Sequence, residues 1–389
     1  MSPASAPTAP VAREVVSPVQ ATRLTGKVNY MFAFDLAYEV LRSPIPQLLG
    51  QPLAQFAVDI SKRTPRHLFF YRPQMVRLPP VEKIGPNGLL RMERTVKIMP
   101  VGAVSITISI PFSVERLEDL VAFHDLRFGD GRSLSEDARE LAEQVRQELL
   151  PYLIRPNAQV GDDEAYTVFC INSPLLADEQ KPIVAEDWLL AHRRQVAAVL
   201  TEEADPNYLS EQEADESSAA YYTYSNNDLV VVDWDAALIV DDPKQMDESL
   251  YIMELANVQL AELEAYDRLL DDAVERSYRD LATSGWRSWF WPVGQRELRE
   301  IRIDLARLSD ELQNISKFFG DWHLARVYRG IAARFHLNDW HRSIDGKLRT
   351  LDHIYSLLQS DRTNRWMIFL EAMIVLLFIF EIVKSFLGG

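Results

Sequence analysis

Between residues 26 and 200 the apolar positions fall in short clusters separated by polar stretches. Val28–Phe34, His67–Tyr71, Thr95–Met99, Val104–Ile110 and Tyr166–Ile171 are rich in β-branched and aromatic residues, have strand length, and are punctuated by Pro or Gly. Helical spacing takes over at Val114–His124, Ser135–Leu150 and Ala185–Leu200, with Ser135 followed by Glu140 and Leu141 as a helix start. Asp228–Asp242 reads as two short strands with Asp233 and Asp235 at the bend. The pattern predicts a mixed α/β domain over 26–243, built in layers.

The second half is helical, so the fold class is α+β. From Met246 to about Leu281 an apolar stripe runs through Ala256, Leu260, Leu263, Leu270 and Val274. A turn over Thr283–Pro292 follows. Leu298, Ile301, Leu305, Leu308, Leu312, Ile315 and Phe319 then form a three-four spacing, the seam of a coiled coil with charged outer positions. Gly320 and Asp321 end that helix. The last helix carries Leu337, Ile344, Leu351 and Leu358 at seven-residue intervals, with Ile354 between them. Residues 244–362 are expected to make either an antiparallel bundle within one chain or part of an oligomeric stalk. Short connections favour the bundle.

Trp366–Leu387 is apolar on all sides, and as a helix it extends about 33 Å, close to the thickness of a bilayer core. Trp366 suits the interface, with Arg365 just before the segment and Lys384 near its far end. The charge bias predicts a single span whose N-terminal bulk faces the cytoplasm, inserted as a tail anchor in a bacterial inner membrane. Glu371 and Glu381 are the polar intrusions. Glu381 pairs naturally with Lys384, whereas Glu371 is either protonated, snorkelled to the near interface, or turned toward a partner helix.

Charge sharpens this picture. The chain carries −16 overall, but residues 286–365 hold 14 Lys or Arg against 10 Asp or Glu, so that part is +4 and the rest −20. A basic region beside the apolar segment suits anionic headgroups, though a solvated helix face would look the same. The acidic remainder argues against nucleic acid as a partner. Residues 1–25, rich in Pro, Ala, Ser and Thr, read as a disordered arm, and 201–220, with seven carboxylates and no cation, as a mobile acidic loop.

Candidate chemistry is sparse. The chain lacks a phosphate-binding GxxxxGK[ST] loop, a GxGxxG turn and a GxSxG elbow, so no cofactor is expected. Cys170, the single cysteine, sits in an apolar strand and reads as a buried thiol. His336, Asp339 and His341 lack the spacing of a helical zinc motif. Trp286, Trp289, Phe290 and Trp291 form a candidate interface, for a membrane surface or a ligand, or else a cap on the bundle.

The tract Asn257–Glu275, the long helices, and Leu370, Glu371, Ile374, Leu377 and Glu381 resemble the "required for meiotic nuclear division" family over the last 160 or so residues. That resemblance implies a membrane-anchored, non-catalytic organiser; the family's mitochondrial members are thought to support translation at the inner membrane. The expected function is a single-pass scaffold that binds a protein partner or its own copies. The alternatives are a membrane-associated enzyme using acids such as Asp233 and Asp235, or a channel or transporter subunit using Glu371.

Overall fold

The computed structural model describes residues 23–41, 45–55, 73–86, 88–161, 163–175, 182–282 and 322–387. The strands are β1 (Leu24–Asp35), β2 (Ala37–Val40), β3 (Gln47–Leu48), β4 (Gln51–Pro52), β5 (Ala54–Gln55), β6 (Gln74–Gly85), β7 (Gly88–Ile98), β8 (Ala103–Val114), β9 (Leu153–Pro156), β10 (Glu164–Asn172), β11 (Tyr221–Tyr222), β12 (Leu229–Val232) and β13 (Ala236–Asp241). The helices are α1 (Leu134–Leu149), α2 (Ala185–Ala191), α3 (Arg193–Leu200), α4 (Glu211–Ser218), α5 (Met246–Ala282), α6 (Trp322–Arg334) and α7 (Leu337–Leu387).

Nine strands form one sheet in the order β11-β12-β13-β10-β1-β8-β7-β6-β5. Within it β10 and β13 run parallel, and the other neighbours pair antiparallel. β12 and β13 are apolar on both sides because both sides are covered. Val28, Tyr30, Phe32 and Phe34 of β1 pack with α1, α2 and α3. Tyr166, Val168 and Cys170 of β10, with Val230, Val232 and Ile239, face α5, α6 and the first part of α7. Burial pushes the Cys170 thiol up to about 12, so it stays protonated, accepting a hydrogen bond from Asn29 Nδ2 at 3.2 Å.

The face under α5 carries a polar strip. In β8 the alternation Val104, Ile106, Ile108, Ile110 points toward α1, which leaves Ser105, Thr107 and Ser109 on the α5 side. α5 meets that strip with Glu254, only 1% exposed. Its carboxylate pairs with the Lys97 ammonium and accepts hydrogen bonds from Ser105 Oγ at 2.6 Å and Thr107 Oγ1 at 3.4 Å. One turn on, Asn257 Nδ2 donates to the carbonyls of Met31 (3.2 Å) and Glu164 (3.0 Å). These contacts fix where the 37-residue α5 lies on the sheet.

Several expectations shift. Leu24 and Thr25, expected in the disordered arm, begin β1, while residues 1–22 lie outside the described residues. The strand expected over His67–Tyr71 also lies outside them. Val114–His124 holds a 3-10 helix over Leu117–Phe123, following the last residue of β8. α1 starts earlier than expected, because Ser133 accepts the Glu136 N–H at 3.2 Å and Glu136 reaches back to the Ser133 N–H, a capping box. The acidic stretch 201–220 contains a helix, α4, whose Ser210 cap accepts the Glu213 N–H at 3.1 Å. The expected seam Leu298, Ile301, Leu305, Leu308, Leu312, Ile315 and Phe319 lies outside the described residues, and the described helices of 244–362 do not show the long coiled-coil bundle. The helices that are described share their core with the sheet: Leu260 and Leu270 of α5 and Ile344, Leu348 and Leu351 of α7 belong to one apolar cluster with β10 and β13.

At one end of the sheet two carboxyls sit well above their ordinary range. Burial raises Glu164 to about 7, with Glu264, Asp235 and Asp163 adding like charge. Burial likewise raises Asp35 to about 6, partly offset by the bond from Asn157 Nδ2 at 3.2 Å.

Two outcomes are expected. Glu254→Leu strands the Lys97 ammonium and costs about 3–5 kcal/mol by denaturant unfolding, while Glu254→Leu combined with Lys97→Met costs clearly less than the sum of the two single changes. A raised carboxyl favours folding while both states are protonated, and that advantage is lost as pH rises from the unfolded value, near 4.5, through about 7. Glu164→Gln is therefore more stabilising at about pH 8 than at about pH 5, read as the shift in denaturation midpoint; an equal effect at both values contradicts the assignment.

Candidate functional site

The β12–β13 turn organises the acidic end of the sheet. Leu229–Val232 and Ala236–Val240 are wholly buried, so the polar triplet Asp233-Trp234-Asp235 is placed at the turn between them. Tyr166 underpins the turn: its hydroxyl lies 3.1 Å from each of the carbonyls of Asp233 and Ala236. Asp235 contributes its carbonyl to the Thr167 N–H at 3.1 Å. Both acids expected at a bend are therefore at one, and they separate in environment. Asp233 is 8% exposed, whereas Asp235 faces solvent.

The turn forms one wall of an open cleft of about 870 Å³; α4 and the corner between α6 and α7 form the others. Its acids are Glu213, Glu216, Asp233 and Asp235, and its single cation is Arg334. The Arg334 guanidinium is held by Glu216, with Nη1 3.0 Å from Oε1, and lies 3.7 Å from Asp233 Oδ1. Burial lifts the Asp233 carboxyl above its usual range, opposed by a bond from Ser217, the Arg334 charge and the Trp234 N–H. Trp234 is half-exposed, and the His336 ring meets it edge-on at 4.8 Å. His336 takes a left-handed conformation, φ +48°, in the tight corner that starts α7.

Asp235 also lines a smaller cavity of about 300 Å³ on the other side of the turn. Here His124, with a side chain only 4% exposed, donates from Nε2 to the Val199 carbonyl at 2.6 Å and places Nδ1 3.0 Å from Glu202 Oε1. Glu202 reaches it from a left-handed backbone, φ +59°, an uncommon conformation for a residue with a Cβ. Neither His124, Glu202 nor Arg334 was singled out from the sequence. The pairs they make span 78 residues (His124 to Glu202) and 118 (Glu216 to Arg334), so no local spacing announces them.

The other predicted sites disperse. His336 and Asp339 pair at 3.0 Å, but among the described residues no group of three or more His, Cys, Asp or Glu is placed to hold a metal ion. Trp286, Trp289, Phe290 and Trp291 lie outside the described residues. Trp366 opens Trp366–Val383, the one helical stretch among the described residues that is long and apolar enough to cross a membrane, and it packs edge-on against Phe369 at 5.9 Å. Glu371 and Glu381 lie exposed on that stretch. Arg365 and Lys384 flank it within α7.

Comparison with known proteins places the kinship at the other end of the chain from the one expected. The family described as "Uncharacterized protein MJ0711, N-terminal domain" matches residues 25–247, which takes in the whole sheet and α1 to α4. The uncharacterized protein MJ0711 of Methanocaldococcus jannaschii is 26% identical over 257 residues, covering 63% of this chain and 73% of that protein. No solved structure matches. These matches overturn the resemblance to the "required for meiotic nuclear division" family: a long amphipathic helix followed by an apolar one is a pattern that packing and bilayer thickness impose on unrelated chains. The relative is archaeal, so the expected bacterial membrane has no support from kinship. By the extent of its match, more than half of its length, the chain belongs to the family of the MJ0711 N-terminal domain.

Proposed function

We propose that this protein is a membrane-tethered interaction module, with its sheet domain held in the cytoplasm and Trp366–Val383 lodged in lipid. The observation that carries the reading is the exposure of that stretch. Fifteen large apolar side chains between Trp366 and Val383 are more than two-fifths exposed, and none of the stretch is buried against the protein. Moving that many side chains out of water is worth on the order of 20 kcal/mol. The carboxylates of Glu371 and Glu381 oppose it by a few kcal/mol each at most, less where they snorkel. The balance favours lipid by a wide margin. Arg362 and Arg365 before the stretch, against Lys384 alone after it, favour the cytoplasmic side for the sheet domain.

The tether is stiff in this reading. α7 is one helix of 51 residues, about 76 Å long, and its first part is clamped to α5. Lys347 Nζ bridges Asp267 (2.7 Å) and Asp271 (2.6 Å) of α5, while Ile344, Leu348, Leu351 and Ile354 are buried nearby. Counted along α7 from Leu337 to Trp366, the cleft end of the domain stands about 44 Å from the start of the lipid stretch. Such a geometry suits a protein that presents a surface to partners in water at a fixed height.

Flotation with lipid vesicles tests this. The full chain is expected to rise with vesicles and to resist extraction by salt. Ile374→Arg, Val375→Arg, Leu377→Arg and Phe378→Arg combined, costing about 2.5–3.5 kcal/mol each at the bilayer centre besides the apolar burial they remove, are expected to shift most of it to the soluble fraction. A full chain that stays monodisperse in buffer without detergent and does not float refutes the tether.

A further inference from the structure

We propose that α7 pairs side by side with α7 of a second copy of this chain, through one stripe that carries both carboxyls of its apolar stretch. The inference deepens the tether reading and rests on it. Asn364, Met367, Glu371, Ile374, Phe378 and Glu381 follow one another in alternating steps of three and four, which places them on one side of the helix. Glu371 and Glu381 are the two charged residues of Trp366–Val383, and every other residue of that stretch is apolar. The polar groups are therefore confined to a single side, and the remaining sides suit lipid throughout.

A polar stripe at membrane depth calls for a protein neighbour. Ten residues separate Glu371 from Glu381, about 15 Å along the axis, so no shift of the helix brings both to one headgroup layer. Ionisable side chains inside a bilayer characteristically face another protein surface. The chain itself offers none: the stretch is 0% buried, and among the described residues it is the one helix fit to cross a membrane.

A second copy supplies the complement. Inserted in the same orientation, it presents Glu371 and Glu381 at the same two depths, and a protonated carboxyl both donates and accepts a hydrogen bond, so each meets its twin. A different partner would have to match polar groups at both depths. The stripe also continues into water. Seven residues before Asn364 lies Leu357, 46% exposed, the one large apolar side chain left open on the described part of α7 before Trp366. Farther back on the same side Gly346, Thr350 and His353 are exposed as well, while Ile344, Leu348 and Leu351 pack into the domain from another side of the helix. The stripe side of α7 is thus open to a neighbour along its length.

The test places the full chain in maltoside micelles and in phosphatidylcholine vesicles. Sedimentation in micelles is expected to give a dimer. Glu371→Leu combined with Glu381→Leu should weaken it about tenfold, because apolar side chains gain little by leaving lipid for one another. Glu371→Gln, which keeps a donor and an acceptor, should hold it within about twofold. In vesicles, copper–phenanthroline is expected to link two Ile374→Cys chains several-fold faster than two Leu376→Cys chains, position 376 being on the opposite side; Cys170 is buried and takes no part. A monomer in both media, equal linking at the two positions, or an unweakened dimer in the double leucine variant overturns the proposal. A chain that floats yet stays single refutes the pairing and leaves the tether standing, whereas one that does not float removes both.

Discussion

Glu254 is the group around which the two halves of the chain are joined. It is an ionisable side chain on the buried face of α5, and the sheet beneath it supplies what it needs: the Lys97 ammonium and the hydroxyls of Ser105 and Thr107. A buried pair of this kind adds little net stability over an apolar replacement, but it tolerates no slippage, since a shift of one residue would strand both charges. Asn257, tied to the carbonyls of Met31 and Glu164, repeats the constraint one turn along. Together they specify the register of α5 on the sheet. Positioned in turn by α5 are α6, through Tyr328 on Gln259 at 2.6 Å, and α7, through Lys347 on Asp267 and Asp271.

Legibility in the sequence followed burial. β1, β8, β10, β12 and β13 were visible because their residues face packed layers, and LVVV and AALIV admit few other readings. β6 and most of β7 were not. Their sequences mix apolar residues with Arg, Glu and Lys because much of the hairpin is exposed, and Pro79 and Pro80 break the pattern where the register shifts between Leu78 and Val81. The alternation Ser105-Thr107-Ser109 would by itself predict a solvated face. It took Glu254, on a helix 149 residues away from Ser105, to cover it. The same distance in sequence hid the cleft: Asp233 and Asp235 were read at their bend, but Arg334, Glu216 and Glu202 reach the site only through tertiary packing.

The boundary of the family match bears on how the cleft arose as a physical object. Residues 25–247 supply the turn, α4 and both acids of the β12–β13 bend, whereas Arg334 and His336 come from beyond that match. A sheet domain carrying only the matched part would leave Asp233 facing water with Glu216 unpaired. The corner between α6 and α7 closes the cleft and neutralises part of its charge. The Tyr222 hydroxyl, which lies so close to Gly330 that an added Cβ would sit 2.2 Å away, keeps α6 tight against β11. The helices that lead to the apolar stretch Trp366–Val383 are thus the same ones that complete the cleft wall.

That shared use ties the two ends of the molecule together. His336 begins the corner from which α7 runs, and the helix continues without Pro or Gly from its packed part to Trp366. A force on the apolar stretch Trp366–Val383 acts along a continuous hydrogen-bonded rod, and the rod is fixed laterally by Lys347 and the buried row Ile344, Leu348, Leu351 and Ile354. Bending such a rod requires breaking backbone hydrogen bonds, each costly when no side chain or water replaces it. Axial displacement would have to slide α7 past α5 and strip the two aspartates from Lys347. The arrangement resists both, so under the tether proposed above rotation about the membrane normal is the soft motion, and the cleft then sweeps a circle at constant height above the bilayer.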